Sequence, residues 1–274
     1  MRIMHHVFIE ADDETRKEFD RLGVNAEFSD GRGIVRDHFV LDIAESDPSW
    51  PDVQKWISKR SHVESISPSF SEAEVAAAHW LQLFPDWHHG YPQPEDDFGY
   101  RDLTYDLAAY CSTCGTGAVQ KAPFRMRREP RWGRRGILQL NWVFDEFFVT
   151  PDVWATVFEP HGIASWPVLK RGGGELQTVV QLDVVEEVSV RTVGLDGEAC
   201  ADCGRFKFLP IRQGPLPELV EEPSGHMAKT REYFGSGASA HHAVVLSRAV
   251  GEAMRAAKLR GASMHPVAPL GPTN

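Results

Sequence analysis

Apolar residues dominate Ile3–Glu10, a short run of β-strand character. Asp12-Asp13-Glu14 follows; acids in a first turn favour a helix, here running to Leu22 with Gly23 as its stop. Val24–Phe28 and Ile34–Ile43 read as strands joined by a turn at Asp30-Gly31-Arg32-Gly33. Ser49-Trp50-Pro51 puts proline at a first helical position and predicts a helix to Ser58. His62–Phe70 reads as a closing strand. The order β-α-β-β-α-β predicts a ferredoxin-like α+β domain.

The pattern then changes. Ser71–Phe84 predicts a helix capped by Ser71, with Glu72 and Glu74 in its first turn and Val75, Ala78, Leu81 and Gln82 at helical spacing. Pro85–Tyr100 holds three prolines, His88-His89 and several aromatic rings, which suit an irregular loop packed by its own side chains. That loop is the expected boundary between a domain over 1–84 and a second over 100–274. In the second, Ile137–Trp142 reads as extended and Thr150-Pro151 opens a short helix to Phe158. Gly172-Gly173-Gly174 turns the chain between extended runs, the later one being Leu176–Val184. Near the end, Ala243–Leu246 is apolar and extended, and Ser247 caps a helix over Arg248–Lys258. Its apolar face is Ala249, Val250, Ala253, Met254 and Ala257; Gly261 ends it, and Ala262–Val267 reads as a strand before a frayed tail from Pro269.

Composition adds the class. Of the 274 residues 42% are hydrophobic and 25% charged, as in soluble globular proteins. No apolar run approaches the roughly 18–20 residues that span a bilayer. The first residues meet Asp12-Asp13-Glu14 before an export signal could form, so the expectation is cytoplasmic. The net charge of −10, from 29 basic and 39 acidic residues, disfavours general affinity for nucleic acid; it suits a basic protein partner, the alternative being that it serves only to keep the chain soluble.

Chemistry concentrates in the cysteines. All four lie in two copies of one motif, Cys111-Ser-Thr-Cys114-Gly115 and Cys200-Ala-Asp-Cys203-Gly204. Two intervening residues bring both sulfurs to one side of a tight turn, and the glycine lets backbone amides approach the thiolates. Paired motifs of this kind predict one zinc ion held by Cys111, Cys114, Cys200 and Cys203. Redox chemistry would need a βαβ setting, iron–sulfur ligands use other spacings, and disulfides need an oxidising compartment. Four thiolates also close the coordination sphere, so the metal is read as structural. The 85 residues between Cys114 and Cys200 far exceed the usual gap of a zinc ribbon. An inserted segment over 121–199 must therefore fold and return the chain to the metal, at a closure cost that grows only logarithmically. The second motif leads into Arg205-Phe-Lys-Phe208, an alternating strand-like run.

Weaker signals remain. Arg125, Arg127, Arg128, Arg131, Arg134 and Arg135 crowd around Trp132 and can grip phosphates or stack on bases; the alternative is pairing with the abundant acids. His88-His89 and His241-His242 invite an acid–base or second-metal role, but no catalytic motif accompanies them. Gly235–Ser239 lacks the lysine of a phosphate loop and reads as a turn. The run Trp142–Phe148 reads as core rather than a partner face.

The two widely spaced CxxCG motifs resemble the bacterial double-CXXCG motif family, known chiefly from myxobacteria. The resemblance rests on Cys111 to Gly115 and Cys200 to Arg205, with looser support from the tail over Tyr233–Val267. It covers the chain from about Tyr105 onward and leaves the first 70 residues outside the pattern. Some members neutralise partner toxins, so the resemblance implies a non-catalytic, zinc-stabilised protein-binding module of the immunity type. The alternatives are a zinc-ribbon protein binding nucleic acid through Arg125–Arg135, and an enzyme with a site near His88-His89. The expected architecture is α+β: a ferredoxin-like domain, then a zinc-knuckle-stapled α+β domain with a long insertion.

Overall fold

His5, Val7 and Ile9 are buried along the first strand, β1 (Arg2–Glu10), while Phe8 and Glu10 face outward; burial alternates along an apolar run, as on a sheet with one face in the core. The structure is a computed structural model and describes residues 1–31 and 36–269. α1 (Asp13–Leu22) is capped by the Asp12 carboxylate, which accepts from the Thr15 amide, and is ended by Gly23 in the left-handed conformation. β2 (Glu27–Ser29), β3 (His38–Ala44), α2 (Trp50–Ile57) and β4 (His62–Ser69) follow. The strands pair antiparallel in the order β2-β3-β1-β4. Phe39, Leu41 and Ile43 of β3 meet Phe19 of α1 and Val53 and Ile57 of α2 in one core. Parts of the expected turn at 30–33 and strand at 34–43, and the tail beyond 269, lie outside the described residues.

The chain divides into two compact units: Met1–Ser71 with Ile211–Pro215, and Glu72–Pro210 with the chain from Leu216 onward. The expected helix over Ser71–Phe84 is corrected here. α3 covers only Glu72–Ala77, and Trp80–Pro85 is a strand, β5. Leu81 and Leu83 are buried on one face of β5 with half-buried Trp80 and Gln82 beside them, so a period of two prevails over the helical spacing of Val75, Ala78 and Leu81. Residues 72–84 thereby belong to the second unit, and the division falls at Ser71 instead of in the loop after residue 84.

In the second unit, α4 (Tyr100–Thr104) leads into the short strands β6 (Tyr105–Asp106) and β7 (Val119–Gln120). β8 (Arg125–Met126), β9 (Ile137–Leu138), β10 (Phe148–Val149), α5 (Pro151–Val153), β11 (Ala164–Lys170) and β12 (Glu175–Asp183) come next. Thr150 caps α5 through the Val153 amide, and the helix widens into a π turn over Trp154–Phe158. These strands form one sheet, β8-β11-β12-β10-β9, built wholly from residues between the two cysteine motifs. β13 (Glu187–Val188), β14 (Gly197–Ala199), β15 (Phe206–Phe208), β16 (Met227–Thr230), β17 (Val244–Ser247), α6 (Arg248–Ala256) and β18 (Ala262–Pro266) complete the chain. A second sheet runs β13-β16-β17-β5-β18. Leu81, Val149, Phe158, Leu182, Leu246 and Met254 share a core, so strands from before, within and after the insertion are packed together. The whole is a mixed α+β fold with several sheets.

Candidate metal centre

Each cysteine pair sits at the tip of a two-stranded antiparallel ribbon: β6 and β7 bracket Cys111 and Cys114, and β14 and β15 bracket Cys200 and Cys203. The two turns repeat the same backbone bonds. The Cys111 amide donates to Thr116 O and the Gly115 amide to Cys111 O, at 2.9 and 2.8 Å; the Cys200 amide donates to Arg205 O and the Gly204 amide to Cys200 O, at the same distances. Thr113 and Asp202, at equivalent positions of the two turns, join them by a hydroxyl–carboxylate bond. The sulfurs then converge. Cys111 Sγ lies 3.8 Å from Cys200 Sγ and Cys114 Sγ 3.6 Å from Cys203 Sγ, and all four lie within 4.8 Å of one another. Four thiolates about 2.3 Å from a tetrahedral zinc ion would stand about 3.8 Å apart. The residues present therefore fit a metal, and the sequence named all four.

The two glycines look equivalent in sequence and are not so in space. Gly115 has φ +80°, and an added Cβ would stand 2.3 Å from Ala238 O; Gly204 has φ +73° with open space around it. Gly204→Ala is expected to cost about 1 kcal/mol, the left-handed penalty alone. Gly115→Ala adds a backbone collision and is expected to cost roughly 3 kcal/mol or more, with loss of metal. Melting curves and zinc content of the two variants check this; equal effects would contradict the packing of the first turn on the 238–240 segment.

Burial resists ionisation of Cys114, which is 5% exposed, but the Thr116 hydroxyl and amide beside its sulfur bring its pKa down to about 6. For Cys200 the amides of Cys203 and Asp202 favour the thiolate, yet burial and the neighbouring Cys114 and Cys203 sulfurs leave it above the ordinary thiol range.

Sequence reading missed two cations that brace the first cysteine turn. Arg205 Nη1 donates to Ala109 O at 2.7 Å and reaches Thr116 Oγ1 at 3.3 Å, bracing the first turn from the second ribbon. Lys207 is 3% exposed, and its Nζ donates to Cys114 O at 2.9 Å, to Ser239 O at 3.1 Å and to Gly237 O. Carbonyls orient this ammonium but do not neutralise it. Four thiolates around a divalent ion would carry a net double negative charge, which a buried lysine and an arginine would offset. The only available signal was the pair of cations at alternate positions in Arg205-Phe-Lys-Phe208.

A second charged cluster ties the first ribbon to both sheets. Gln120 of β7 and Gln181 of β12 exchange amide bonds at 2.9 and 2.7 Å, and Gln181 Nε2 donates to Glu146 Oε2 at 2.9 Å. Glu146 pairs with Lys229 of β16, while Asp145 accepts the His242 amide at 3.1 Å. The run Trp142–Phe148 is thus mixed: Val143, Phe147 and Phe148 are core, whereas Trp142 and Phe144 are at the surface.

The histidine pairs do not build a metal site; among the described residues the four cysteines are the cluster of three or more such ligands. Burial holds His88, His89 and His241 below the ordinary imidazole range, with Arg128 adding to the effect at His89. Gly235–Ser239 forms the expected turn, with the Ser239 amide on Ser236 O. Of the six arginines, Arg127, Arg128, Arg131, Arg134 and Arg135 are exposed and Arg125 is half-buried. Arg135 stands 4.8 Å over the Trp87 ring, and Trp132 is tied by its indole N–H to Thr178 O at 2.9 Å.

The chain matches no family model, no curated protein and no solved structure. Its site is read from its own residues.

Proposed function

We propose that the four cysteines hold one structural zinc ion and that the protein is a non-catalytic binding module, of the kind that neutralises a partner toxin. The spacing of the sulfurs carries the first half of this reading: it fits a tetrahedron and leaves no position for water or substrate. The second half is supported by the resemblance of the paired CxxCG motifs to the double-CXXCG family and by the net charge of −10, which favours encounter with a basic protein. The antiparallel order β2-β3-β1-β4 with two helices supports a ferredoxin-like first unit. A cytoplasmic setting suits the reduced thiolates, and no helix among the described residues is long and apolar enough to cross a membrane.

Elemental analysis after chelator-free purification tests the metal: about one zinc per chain is expected, and less than about half would remove the assignment. For the partner, a tagged chain co-expressed with the products of adjacent genes is expected to capture a basic protein at one-to-one stoichiometry.

One observation favours nucleic acid as a second reading. Among the described residues, none of the six arginines takes part in an ion pair with an acid. If that surface grips phosphates, Arg128→Ala with Arg131→Ala weakens a salt-sensitive gel shift; absence of any shift at low salt removes the reading.

A further inference from the structure

Beside the first cysteine turn the second unit encloses a cavity of about 390 Å³, lined by aromatic rings, the 236–240 segment and the small residues Gly115, Gly117 and Ala118. Its two outer rings are held in an unusual way. Phe98 and Trp142 both sit in the left-handed backbone region, at φ 57° and 68°, which large side chains rarely adopt. Both remain exposed, at 41% and 37%, with their rings 4.6 Å apart. Trp142 also stacks on Tyr100, at 6.2 Å and 19° between planes. A folded chain that keeps two strained aromatics in water, at the mouth of one cavity, is holding a surface ready for something flat or apolar.

The polar groups of the cavity have opposite signs. Asp145 lies in the wall; burial works against its ionisation, but Lys229, which also pairs with Glu146, and His242 hold it below the usual carboxylate range, so it presents a carboxylate. Lys207 directs its donors to the carbonyls of Cys114, Gly237 and Ser239 and forms no ion pair with Asp145. Arg101 also lies in the wall, its guanidinium 4.4 Å over the Phe98 ring and 5.4 Å from that of Tyr110. Burial raises the Tyr100 and Tyr105 hydroxyls above the ordinary phenol range; Asp145 adds to this and Arg101 opposes it. A carboxylate and a guanidinium in the wall of one aromatic-lined cavity match a molecule with an ammonium, an apolar body and a carboxylate.

We propose that this cavity binds a small zwitterion, a free amino acid or short peptide, with its ammonium on Asp145, its carboxylate on Arg101 and its side chain against Tyr100 and Trp142. This goes beyond the partner reading above and does not require it.

Titration calorimetry on the full-length, zinc-loaded chain, with tryptophan fluorescence compared between the unaltered chain and Trp142→Phe as a second readout, tests the proposal. The probes are L-phenylalanine and glycyl-L-phenylalanine, against phenethylamine, which lacks the carboxylate, and 3-phenylpropionate, which lacks the amine. A zwitterion is expected to bind saturably, with each singly charged analogue at least about tenfold weaker. Asp145→Asn is expected to erase the preference over 3-phenylpropionate, and Arg101→Gln the preference over phenethylamine, with zinc content unchanged in both. Equal binding of zwitterions and analogues, or no saturable binding up to about 10 mM, overturns the proposal on the unaltered protein, whether or not either variant folds. Capture of a protein partner is scored separately on the same variants, so failure of one reading leaves the other standing.

Discussion

Stripping the metal with a strong chelator, or replacing Cys114 with serine, is expected to unfold the unit that carries the cysteines and to leave a separate melting transition for the Met1–Ser71 sheet. The magnitudes decide this. Structural zinc contributes an apparent binding free energy of about 10–16 kcal/mol at neutral pH, whereas a domain is stable by only about 5–15 kcal/mol. Loss of the ion also removes the counter-charge of Lys207, which would then remain buried among carbonyls. Both cysteine ribbons grow out of segments that enter or leave the inserted sheet, so release of the tips frees the ends of a long loop. The first unit has its own core around Val7, Phe39 and Ile57 and contains none of the four cysteines. A graded series sharpens the expectation: Cys114, buried and bonded by Thr116, is costlier to replace than exposed Cys203. Circular dichroism melts with and without chelator, paired with zinc determination, measure it. An apo chain that melts as one transition at the holo temperature would show that the ion does not hold the fold.

What could be read from the sequence was local. Asp12 with Gly23, Thr150 with Pro151, and Ser247 each mark a helix end by a side chain or turn that acts within a few residues, and each cap is present. The cysteine pairs carry their geometry inside a five-residue turn, so all four candidate ligands were legible. Failures came where the decisive partner is distant. Trp80–Pro85 became a strand because β17 and β18, from the far end of the chain, pair with it on both sides. Lys207 points inward because Cys114, Gly237 and Ser239 offer carbonyls there, which a period of two cannot reveal. Asp145 and Glu146 lie in a run that reads as core, and only the fold brings Lys229 to them. Periodicity tells which face a side chain occupies, and tertiary structure tells what waits there.

That lysine supports the second large expectation. Lys229→Met is expected to cost about 3–5 kcal/mol, because it leaves Glu146, 5% exposed, and its neighbour Asp145 without their ammonium. Glu146→Gln keeps the shape and still meets the Gln181 amide, so it should cost less; the double variant should recover roughly half or more of the loss, since both buried charges leave together. The pH dependence gives a sign to check. Burial raises Glu146 above the usual carboxylate range even against the pull of Lys229, and burial would also raise Asp145 were it not for Lys229 and His242, which hold it below that range. Without the lysine both carboxyls move up. A group with a raised folded pKa stabilises most below its unfolded value, about 4 for a carboxyl, and loses that contribution as pH rises through its folded value. The deficit of Lys229→Met relative to the wild-type chain should therefore be widest near neutral pH and narrow as pH falls towards 5. Denaturant melts of the four proteins of the cycle at two pH values measure both effects. A deficit independent of pH would mean that Lys229 acts through packing alone.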